Sequence, residues 1–434
     1  MSKYNVLYLH CHDAGRYIEP YGYKVSTPNL QRLAEEGMLF RQAHCANPTC
    51  SPSRAALLTG QAAHSSGMLG LAHRGWTLND YGQTWMSVLH AHGYQTVLTG
   101  QQHITHHTTH PPEVAGYSEV MGTDNGFDSP PQLVEEFLSR RPQDPFFLDV
   151  GFHAPHRTGR LGDFKRRSEP KDDRYLMPPP TLPDTPETRR DFALYSAAVE
   201  DMDQSMGRVL ESLDRHGYRD NTLVICTTDH GIAFPHMKCR LTDHGTGVML
   251  MLRGPGGFSG GRVTDALVSH IDLFPTLCDV LDIEHPDWLQ GHSLRPLVRG
   301  EVDTIRDAVF AEVNYHASAE PMRSVRTPRW KYIRNYDGYP STVLPNIDNG
   351  ASKQFLYDAG LGDRVRPAEE LYDCYFDPQE VCNRAQDESC AAIRQALAAR
   401  LDKWMRETDD PLVNGGPLPV CPDMVLTDPG TYDP

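Results

Sequence analysis

Short apolar runs rich in β-branched and aromatic residues alternate with longer amphipathic stretches through the first 300 or so residues of this 434-residue chain. The clearest strand candidates are NVLYLHC from Asn5, YQTVLTG from Tyr94, DPFFLDVGF from Asp144 and NTLVICTTD from Asn221. The stretches between them carry helix signals, such as Pro28 in the first turn of TPNLQRLAEEGMLF and Gly37 as its stop. This alternation predicts the α/β class, with a large, mostly parallel sheet covered by helices on both faces.

The pattern changes near Ala311. MRSVRTPRWKYIRNY is typical of a β-hairpin with Pro328 in its turn, and IRQALAARLDKWMRE predicts a helix. We therefore expect an α/β domain over residues 1–310 and a smaller C-terminal subdomain over residues 311–434. The subdomain is expected to hold an antiparallel sheet and a packing helix.

Composition narrows the classes of partner and compartment. A net charge of −16 argues against nucleic acid and anionic membranes as partners. No apolar run approaches the roughly 20 residues of a membrane span, and a strand-like run begins at Asn5 in place of a signal core. The 10 cysteines are scattered, as in proteins of a reducing compartment. We expect a cytoplasmic protein that binds neither nucleic acid nor membrane.

Polar residues follow each of the four strand candidates. One histidine near a strand end is usually solvated or part of a core, but four successive strands with such residues indicate a site at one sheet edge. A metal-assisted hydrolytic centre needs side chains of this kind. They are His12 and Asp13, Gln101 and His103, His153 and His156, and Asp229 and His230 with Lys238 shortly after.

The residue types leave the identity of a bound metal open. The carboxylates of Asp13 and Asp229 suit a hard cation such as Ca²⁺ or Mg²⁺. His12 and His230 would soften the ligand set, which also admits a transition metal such as Mn²⁺. The spacing of cysteines and histidines does not match a structural zinc site.

Cys50 stands at the start of a short helical stretch, CSPSRAALLTG, with Pro52 in the first turn and Arg54 one turn on. Helix N-terminal N–H groups, the helix dipole and a guanidinium all favour an anion at this position. Taken alone, CxPxR also fits a buried structural cysteine, and the complete string decides between the two interpretations.

That string matches the sulfatase signature C-x-P-S-R-x-x-L-x-T-G without a departure, and the chain resembles the formylglycine-dependent sulfatases of the alkaline-phosphatase-like superfamily. Supporting motifs occur in the family's order along nearly the whole chain: NVLYLHCHD, HSSGM, GQQH, FHAPH, TTDHG and LYDCYFDPQEVCN. GFHAPHR, IAFP and PMRSVR are most similar to the heparan N-sulfatase (sulfamidase) branch. The resemblance implies hydrolysis of a sulfate ester or sulfamate of a sulfated sugar, as in glycosaminoglycan degradation.

The resemblance also implies catalytic roles at matching positions. Cys50 would be oxidised by a formylglycine-generating enzyme, and the hydrated formylglycine would be the nucleophile, steadied by Arg54. His103 matches a histidine near the formylglycine hydroxyl. His153 matches the one assigned to leaving-group protonation or sulfate binding, and Lys238 matches a basic residue that contacts sulfate.

Four residues match the family's Ca²⁺ ligands, and two positions depart from the family pattern. The matching ligands are His12, Asp13, Asp229 and His230. The family usually has Asp-Asp where His12-Asp13 stands, so that Ca²⁺ should bind more weakly or His12 should not be a direct ligand. It also usually has Lys-x-His where Gln101 stands, and a neutral amide binds sulfate without the stabilising charge.

Two other functions compete with sulfatase activity. Phosphate or phosphonate monoester hydrolases of the same superfamily carry the same signature, but a phosphate monoester carries about two negative charges and few Lys or Arg residues follow the strands. A catalytically silent sulfate- or glycan-binding relative would account for His12 and Gln101, but the maturation signature is intact.

Sugar recognition is expected where the two predicted domains meet, because domain junctions favour ligand sites. The candidates in AEVNYHASAEPMRS are Glu312, Tyr315, His316, Glu320 and Arg323, and Gln101 is a further substrate-binding candidate. The expected partners are a sulfated saccharide or other small sulfated substrate and the maturation enzyme. Exo or endo action is left open, and a homodimer is compatible with the sequence.

Overall fold

The computed structural model describes residues 4–106, 109–123, 126–413, 415–422 and 424–432. Ten strands precede residue 270 in these ranges: β1 (Asn5–Cys11), β2 (Met38–His44), β3 (Gln95–Gly100), β4 (Glu119–Gly122), β5 (Phe146–Gly151), β6 (Arg157–Thr158), β7 (Asp163–Phe164), β8 (Thr222–Thr228), β9 (Leu250–Arg253) and β10 (Arg262–Ser269). β6 and β7 form a small separate ribbon. The other eight form the main sheet in the order β10-β2-β9-β8-β1-β5-β3-β4.

The main sheet is mixed, because β9 runs antiparallel to both of its neighbours and the other pairings are parallel. In β1, Leu7 and Leu9 belong to one apolar cluster, whereas Val6 and Tyr8 belong to another. Alternate side chains of this buried strand therefore serve the cores on opposite faces of the sheet. This confirms the predicted α/β class.

Helices cover both faces. The described helices are α1 (Pro28–Glu36), α2 (Cys50–Thr59), α3 (Ala63–Ser66), α4 (Trp85–Ala91), α5 (Ser129–Ser139), α6 (Pro186–Arg215), α7 (Asp243–Thr246), α8 (Leu273–Leu281), α9 (Arg295–Arg299), α10 (Ala351–Asp358) and α11 (Ala391–Glu407). α1, α5 and α6 contribute to the first core, and α2, α4 and α8 to the second. Among the described residues, no helix has the length and apolar character that crossing a membrane would require.

A second sheet follows residue 308 and is antiparallel throughout. Its strands are β11 (Val309–Tyr315), β12 (Ala319–Arg326), β13 (Trp330–Asn335) and β14 (Glu369–Asp373), paired in that order. The predicted hairpin is β12–β13, and Pro328 lies in its turn. Leu397, Leu401 and Met405 of α11 are buried in the same cluster as Val325 and Tyr332 of that hairpin. The predicted antiparallel sheet with a packing helix is therefore confirmed.

Strand β2 was not predicted, because the helix-stop residue Gly37 lies directly before its short apolar run. Gly37 ends α1 as predicted, through its N–H bond to Leu33 O. The residues after it, Met38 to Phe40, form the start of β2 and do not continue the helix. A short apolar segment next to a helix cannot be assigned by periodicity alone.

Candidate active site

Four adjacent strands of the main sheet end at one edge, since β8, β1, β5 and β3 are consecutive and parallel. The residues that follow them come together as the chain pattern predicts. In that strand order they are Asp229 and His230, His12 and Asp13, His153 and His156, and Gln101 and His103.

Cys50 is the first residue of α2, and the helix N-terminus faces this edge. Ser53, in the first turn, donates a 2.5 Å hydrogen bond from Oγ to the carbonyl of Asp229, which ties α2 to the end of β8. Cys50 is 2% exposed, and its Sγ lies 3.5 Å from His230 Nε2. Burial raises the pKa of the Cys50 thiol, so the unmodified side chain is a neutral thiol and a poor nucleophile at neutral pH.

Arg54 lies one turn further along α2 and connects three acceptors. Its guanidinium donates to His10 Nδ1 (2.6 Å), to Cys11 O (2.9 Å) and to Asp229 Oδ2 (3.1 Å). Because a guanidinium only donates, His10 must carry its proton on Nε2, which lies 2.7 Å from Asp149 Oδ1. Arg54 is 1% exposed. Its hydrogen bonds to Cys11 and Asp229 fix the ends of β1 and β8 relative to α2.

Potential metal ligands form two overlapping groups that share Asp13 and Cys50. Within each group the ligand atoms all lie within 4.8 Å of one another; one group adds Asp229 and His230, the other His12 and His156. Burial opposes ionisation of Asp229, but His230 and Arg54 hold the pKa of its carboxyl well below the usual value. A carboxylate that stays ionised at this point attracts a cation.

Unpartnered atoms show that the pocket fits a cation. Asp13 Oδ1 and both ring nitrogens of His12 are buried and accept or donate no hydrogen bond within the described residues. His12 Nδ1 lies 3.1 Å from Asp229 Oδ2, but outside hydrogen-bond geometry. Buried polar atoms without partners are costly, and a bound metal would satisfy them.

Lys238 lies between two carboxylates. Its Nζ donates to Asp13 Oδ2 (3.2 Å) and to Asp348 Oδ1 (3.3 Å), and the residue is 3% exposed. Burial opposes protonation, but Asp13 and Asp348 raise the pKa of Lys238 well above its usual value. The site therefore holds a permanent ammonium beside the candidate metal ligands.

Histidine rings line another side of the site. The ring centroid of His12 lies 5.5 Å from that of His103, 5.6 Å from that of His153 and 5.4 Å from that of His156. Burial, with smaller effects of neighbouring cations, lowers the pKa of His153 to about 3 and that of His103 well below 6.5. His153 and His103 are therefore neutral imidazoles at neutral pH. His73, from the short turn Ala72–Arg74, places Nδ1 3.1 Å from His103 Nε2.

Gln101 lies at the end of β3, and its backbone N–H donates to Gly151 O on β5 (3.0 Å). It helps to line a cavity of about 200 Å³ together with His73 and His103. The predicted substrate-binding residue is thus at the site edge, beside the histidines.

Three of the sugar-recognition candidates are corrected by the structure. Glu312 and Arg323 are 0% exposed and form an internal ion pair of 3.5 Å, and Arg323 also binds Asp410. Tyr315 is 4% exposed and stacks on Trp76 at 5.1 Å. A sugar cannot reach these side chains without unpacking the interior, because each of them is 4% exposed or less.

His316 remains at the site, whereas the structure adds residues that the sequence did not assign. His316 precedes Ser318 by two residues, and the N–H of Ser318 donates to Asn346 Oδ1 (2.8 Å) on the loop that carries Asp348. Asp348 was missed because NIDNG carries only a turn signal. His156 was recognised as a strand-end residue, but its place within 4.8 Å of Asp13 and Cys50 is visible only in the folded chain.

Comparisons with known proteins agree with this geometry. The sulfatase family model matches residues 5–283, and the model of the N-sulphoglucosamine sulphohydrolase C-terminal region matches residues 237–349. Human N-sulphoglucosamine sulphohydrolase is 31% identical over 93% of this chain and 88% of its own length.

Two solved structures share the fold. A protein in complex with its substrate D-glucosamine-2-N,6-O-disulfate has a TM-score of 0.72 and 20% identity, covering 95% of this chain and 100% of that one. Phosphonate monoester hydrolase of Agrobacterium radiobacter has a TM-score of 0.66 and 21% identity, covering 94% and 96%. At these identities the likeness supports the architecture alone.

Proposed function

Because this chain belongs to the sulfatase family, we propose that it hydrolyses a sulfate ester or sulfamate of a sulfated sugar. The observation that carries the proposal is the placement of Cys50. It lies at a helix N-terminus, 3.5 Å from His230, inside a group of carboxylates and histidines that fits a divalent cation. The likeness to human N-sulphoglucosamine sulphohydrolase favours an N-sulfated glucosamine-type substrate for this chain.

Residue 50 would act after conversion of its CH₂SH group to an aldehyde, whose hydrate supplies a hydroxyl as nucleophile toward sulfur. Arg54 would hold that hydroxyl and balance its charge, since its guanidinium already reaches Asp229 at the same point. Lys238 would donate hydrogen bonds to the sulfate oxygens, because its ammonium is fixed between Asp13 and Asp348. Maturation requires a formylglycine-generating enzyme as partner.

Asp13, Asp229, His12 and His230 would hold the divalent cation. When bound, the cation acts as a Lewis acid toward the sulfate oxygens and the residue-50 hydroxyl. Two imidazoles among four donors weaken the case for Ca²⁺, which prefers oxygen ligands, and admit a transition metal. We propose that the site holds a divalent cation, either the Ca²⁺ that the family resemblance implies or a transition metal such as Mn²⁺.

Two imidazoles would manage the protons. His153 would protonate the leaving oxygen or nitrogen only as an imidazolium, a form that the negative charge of a bound sulfate favours, and a neutral His103 can accept a proton from the second hydroxyl of residue 50. His73 lies 3.1 Å from His103 and orients it. An amine leaving group needs a proton more than an alcohol does, so this wall is most important for an N-sulfated substrate.

Phosphonate or phosphate monoester hydrolysis is the second candidate, favoured by the shared architecture with a phosphonate monoester hydrolase. The charge balance opposes the phosphate monoester, which is a dianion. Lys238 and Arg54 are the cationic side chains among the site residues described above, and each is already paired with a carboxylate. A dianionic ester would gain less from this site than a sulfate monoanion.

The test uses protein co-expressed with a formylglycine-generating enzyme. Mass spectrometry of the Cys50 peptide is expected to show the aldehyde, and the matured enzyme is expected to cleave an N-sulfated sugar or an O-sulfated sugar faster than an aryl phosphate. Cys50→Ala serves as the control and should abolish turnover of all three. Turnover retained in Cys50→Ala, or a preference for the phosphate, would contradict the proposal.

A further inference from the structure

Asp348 is an acidic side chain in a site that has to bind an anion. It comes from the loop between the turn Leu344–Asn346 and α10, far in sequence from the strand ends. Its two carboxylate oxygens lie 3.3 and 3.2 Å from Lys238 Nζ, and its side chain is 15% exposed. A carboxylate next to a sulfate-binding lysine repels sulfate, so it needs another purpose.

The loop that carries Asp348 is rigidly held. Asn346 accepts the N–H of Ser318 (2.8 Å) and donates to Glu320 Oε2 (2.9 Å), so it joins the loop to the turn that follows His316. Asn349 Nδ2 donates to Arg160 O at 3.3 Å on the other side. His316 and Asp348 are therefore placed by one shared set of hydrogen bonds, as a preorganised binding pair requires.

Both side chains can make a further hydrogen bond. His316 Nδ1 is buried and has no hydrogen-bond partner in the described part of the chain. Asp348 Oδ2 lies 3.2 Å from Lys238 Nζ outside hydrogen-bond geometry, and a carboxylate oxygen with this charge contact can accept another bond. Burial and the charge of Lys238 lower the pKa of His316 to about 3, so its ring is neutral. An anionic acceptor and a neutral imidazole that are held by two hydrogen-bonded loops can together bind a hydroxyl, which both donates and accepts.

We propose that Asp348 and His316 form a subsite for an unsubstituted hydroxyl next to the sulfated position of a sugar ring, and that Asp348 excludes a second sulfate from that place. The inference rests on the proposed function and specifies its substrate: a sugar whose neighbouring hydroxyl is free. The hydroxyl donates to Asp348, and His316 completes its hydrogen bonding.

The experiment compares Asp348→Asn with wild type on three matured-enzyme substrates. They are a small aryl sulfate without ring hydroxyls, a monosulfated sugar, and a sugar that also carries sulfate on the hydroxyl next to the scissile group. We expect kcat/KM for the monosulfated sugar to fall roughly 10- to 100-fold, because a charge-assisted hydrogen bond is lost. That loss should exceed the loss on aryl sulfate at least several-fold, and the preference against the disulfated sugar should shrink.

Asp337→Asn is the matched control. Asp337 has a 16% exposed side chain and a single arginine partner, Arg366, much as Asp348 has 15% exposure and Lys238. Its substitution should change the three kcat/KM values by similar small factors. Should Asp348→Asn fail to fold, His316→Gln must show the same sugar-selective loss.

Equal losses on all three substrates would mean that Asp348 only positions Lys238, and would overturn the inference. The ratio of the mono- and disulfated sugar affinities is also measured as Kd in a Cys50→Ala background, which needs no turnover. If Asp348→Asn selectively loses binding of the monosulfated sugar but the wild type hydrolyses none of the sulfated substrates, only the proposed function is contradicted. Unchanged Kd ratios in an active enzyme would contradict the inference alone.

Discussion

At the scale of single residues, the site depends on side chains that combine shape with charge. Arg54 is the clearest case, because its three acceptors lie in different directions: an imidazole, a backbone carbonyl and a carboxylate. A lysine ammonium has the same charge but cannot span such a set from one stem. The arginine of the signature is therefore required by geometry as well as by charge.

We expect Arg54→Lys to lower turnover at least 100-fold and to destabilise the fold by about 3 kcal/mol, because Asp229 loses a buried partner. Steady-state kinetics and urea unfolding at pH 7 measure the two effects. Arg174→Lys, at an exposed pair with Asp172, is the control and should change neither. Wild-type stability in Arg54→Lys would show that its contacts are dispensable.

His12 permits a test of metal preference without a kinetic readout. His12→Asp replaces a nitrogen donor by an oxygen donor beside Asp13, so Ca²⁺ should bind about 10-fold more tightly relative to Mn²⁺ than in wild type. Isothermal titration and the shift in melting temperature on adding each metal report this change. His90→Asp, a change on an exposed helix position, should leave both metals unaffected. An unchanged ratio of the Ca²⁺ and Mn²⁺ affinities in His12→Asp would show that His12 does not bind the metal.

At the scale of elements, α2 is fixed at both ends. Its N-terminus is held by Ser53 on Asp229 O, and its C-terminus ends at Gly60 with φ of +69°. A Cβ on Gly60 would lie 2.6 Å from Leu289 Cδ2 and 3.1 Å from Phe274 Cβ. The glycine of the signature is thus needed for a left-handed cap in a packed position.

Gly60→Ala is expected to destabilise the protein by about 2 kcal/mol, from left-handed backbone strain and the crowding of α8. Turnover should fall with the loss of folded protein, and the remaining folded enzyme should keep its KM. Chemical unfolding and active-site titration separate these quantities. Gly217→Ala, also left-handed but without a neighbour within 4 Å, isolates the strain and should cost less. Equal losses in the two variants would show that the packing at Gly60 is unimportant.

Much of the main sheet could be predicted because buried parallel strands and amphipathic helices have distinct patterns, and the ends of β1, β3, β5 and β8 carry most of the site. The predictions failed where the local pattern was ambiguous or where a contact joins residues that are far apart in the sequence. The run after Gly37 is too short to distinguish strand from helix, and Asp348 reaches Lys238 only through the folded loop after β13. Glu312 and Arg323 were misassigned because a polar residue on a strand can form an internal ion pair as readily as it can bind a ligand.

At the scale of the whole molecule, a buried charge network joins the chain beyond the signature to the second sheet. Glu312 on β11 accepts hydrogen bonds from the backbone N–H and the Nδ1 of His64, which lies in α3. Arg323 on β12 lies 3.5 Å from Glu312 and binds Asp410 after α11. Segments from three distant parts of the sequence therefore share one buried ion cluster.

This network predicts how stability depends on pH. Burial opposes ionisation of Glu312, but His64 and Arg323 lower its pKa from 4.5 to about 2. A carboxyl with a depressed folded-state pKa stabilises the protein fully above its unfolded pKa, and this contribution is lost as the pH falls from about 4.5 to about 2. Glu312→Gln should therefore lower the free energy of unfolding by on the order of 3 kcal/mol at pH 7.

The difference from wild type should shrink steadily below pH 4.5, as measured by urea unfolding at each pH. Glu301→Gln, at an exposed pair with Arg299, should show no such pH-dependent difference. A Glu312→Gln deficit that stays constant down to pH 2 would mean that shape, and not charge, makes this residue stabilising.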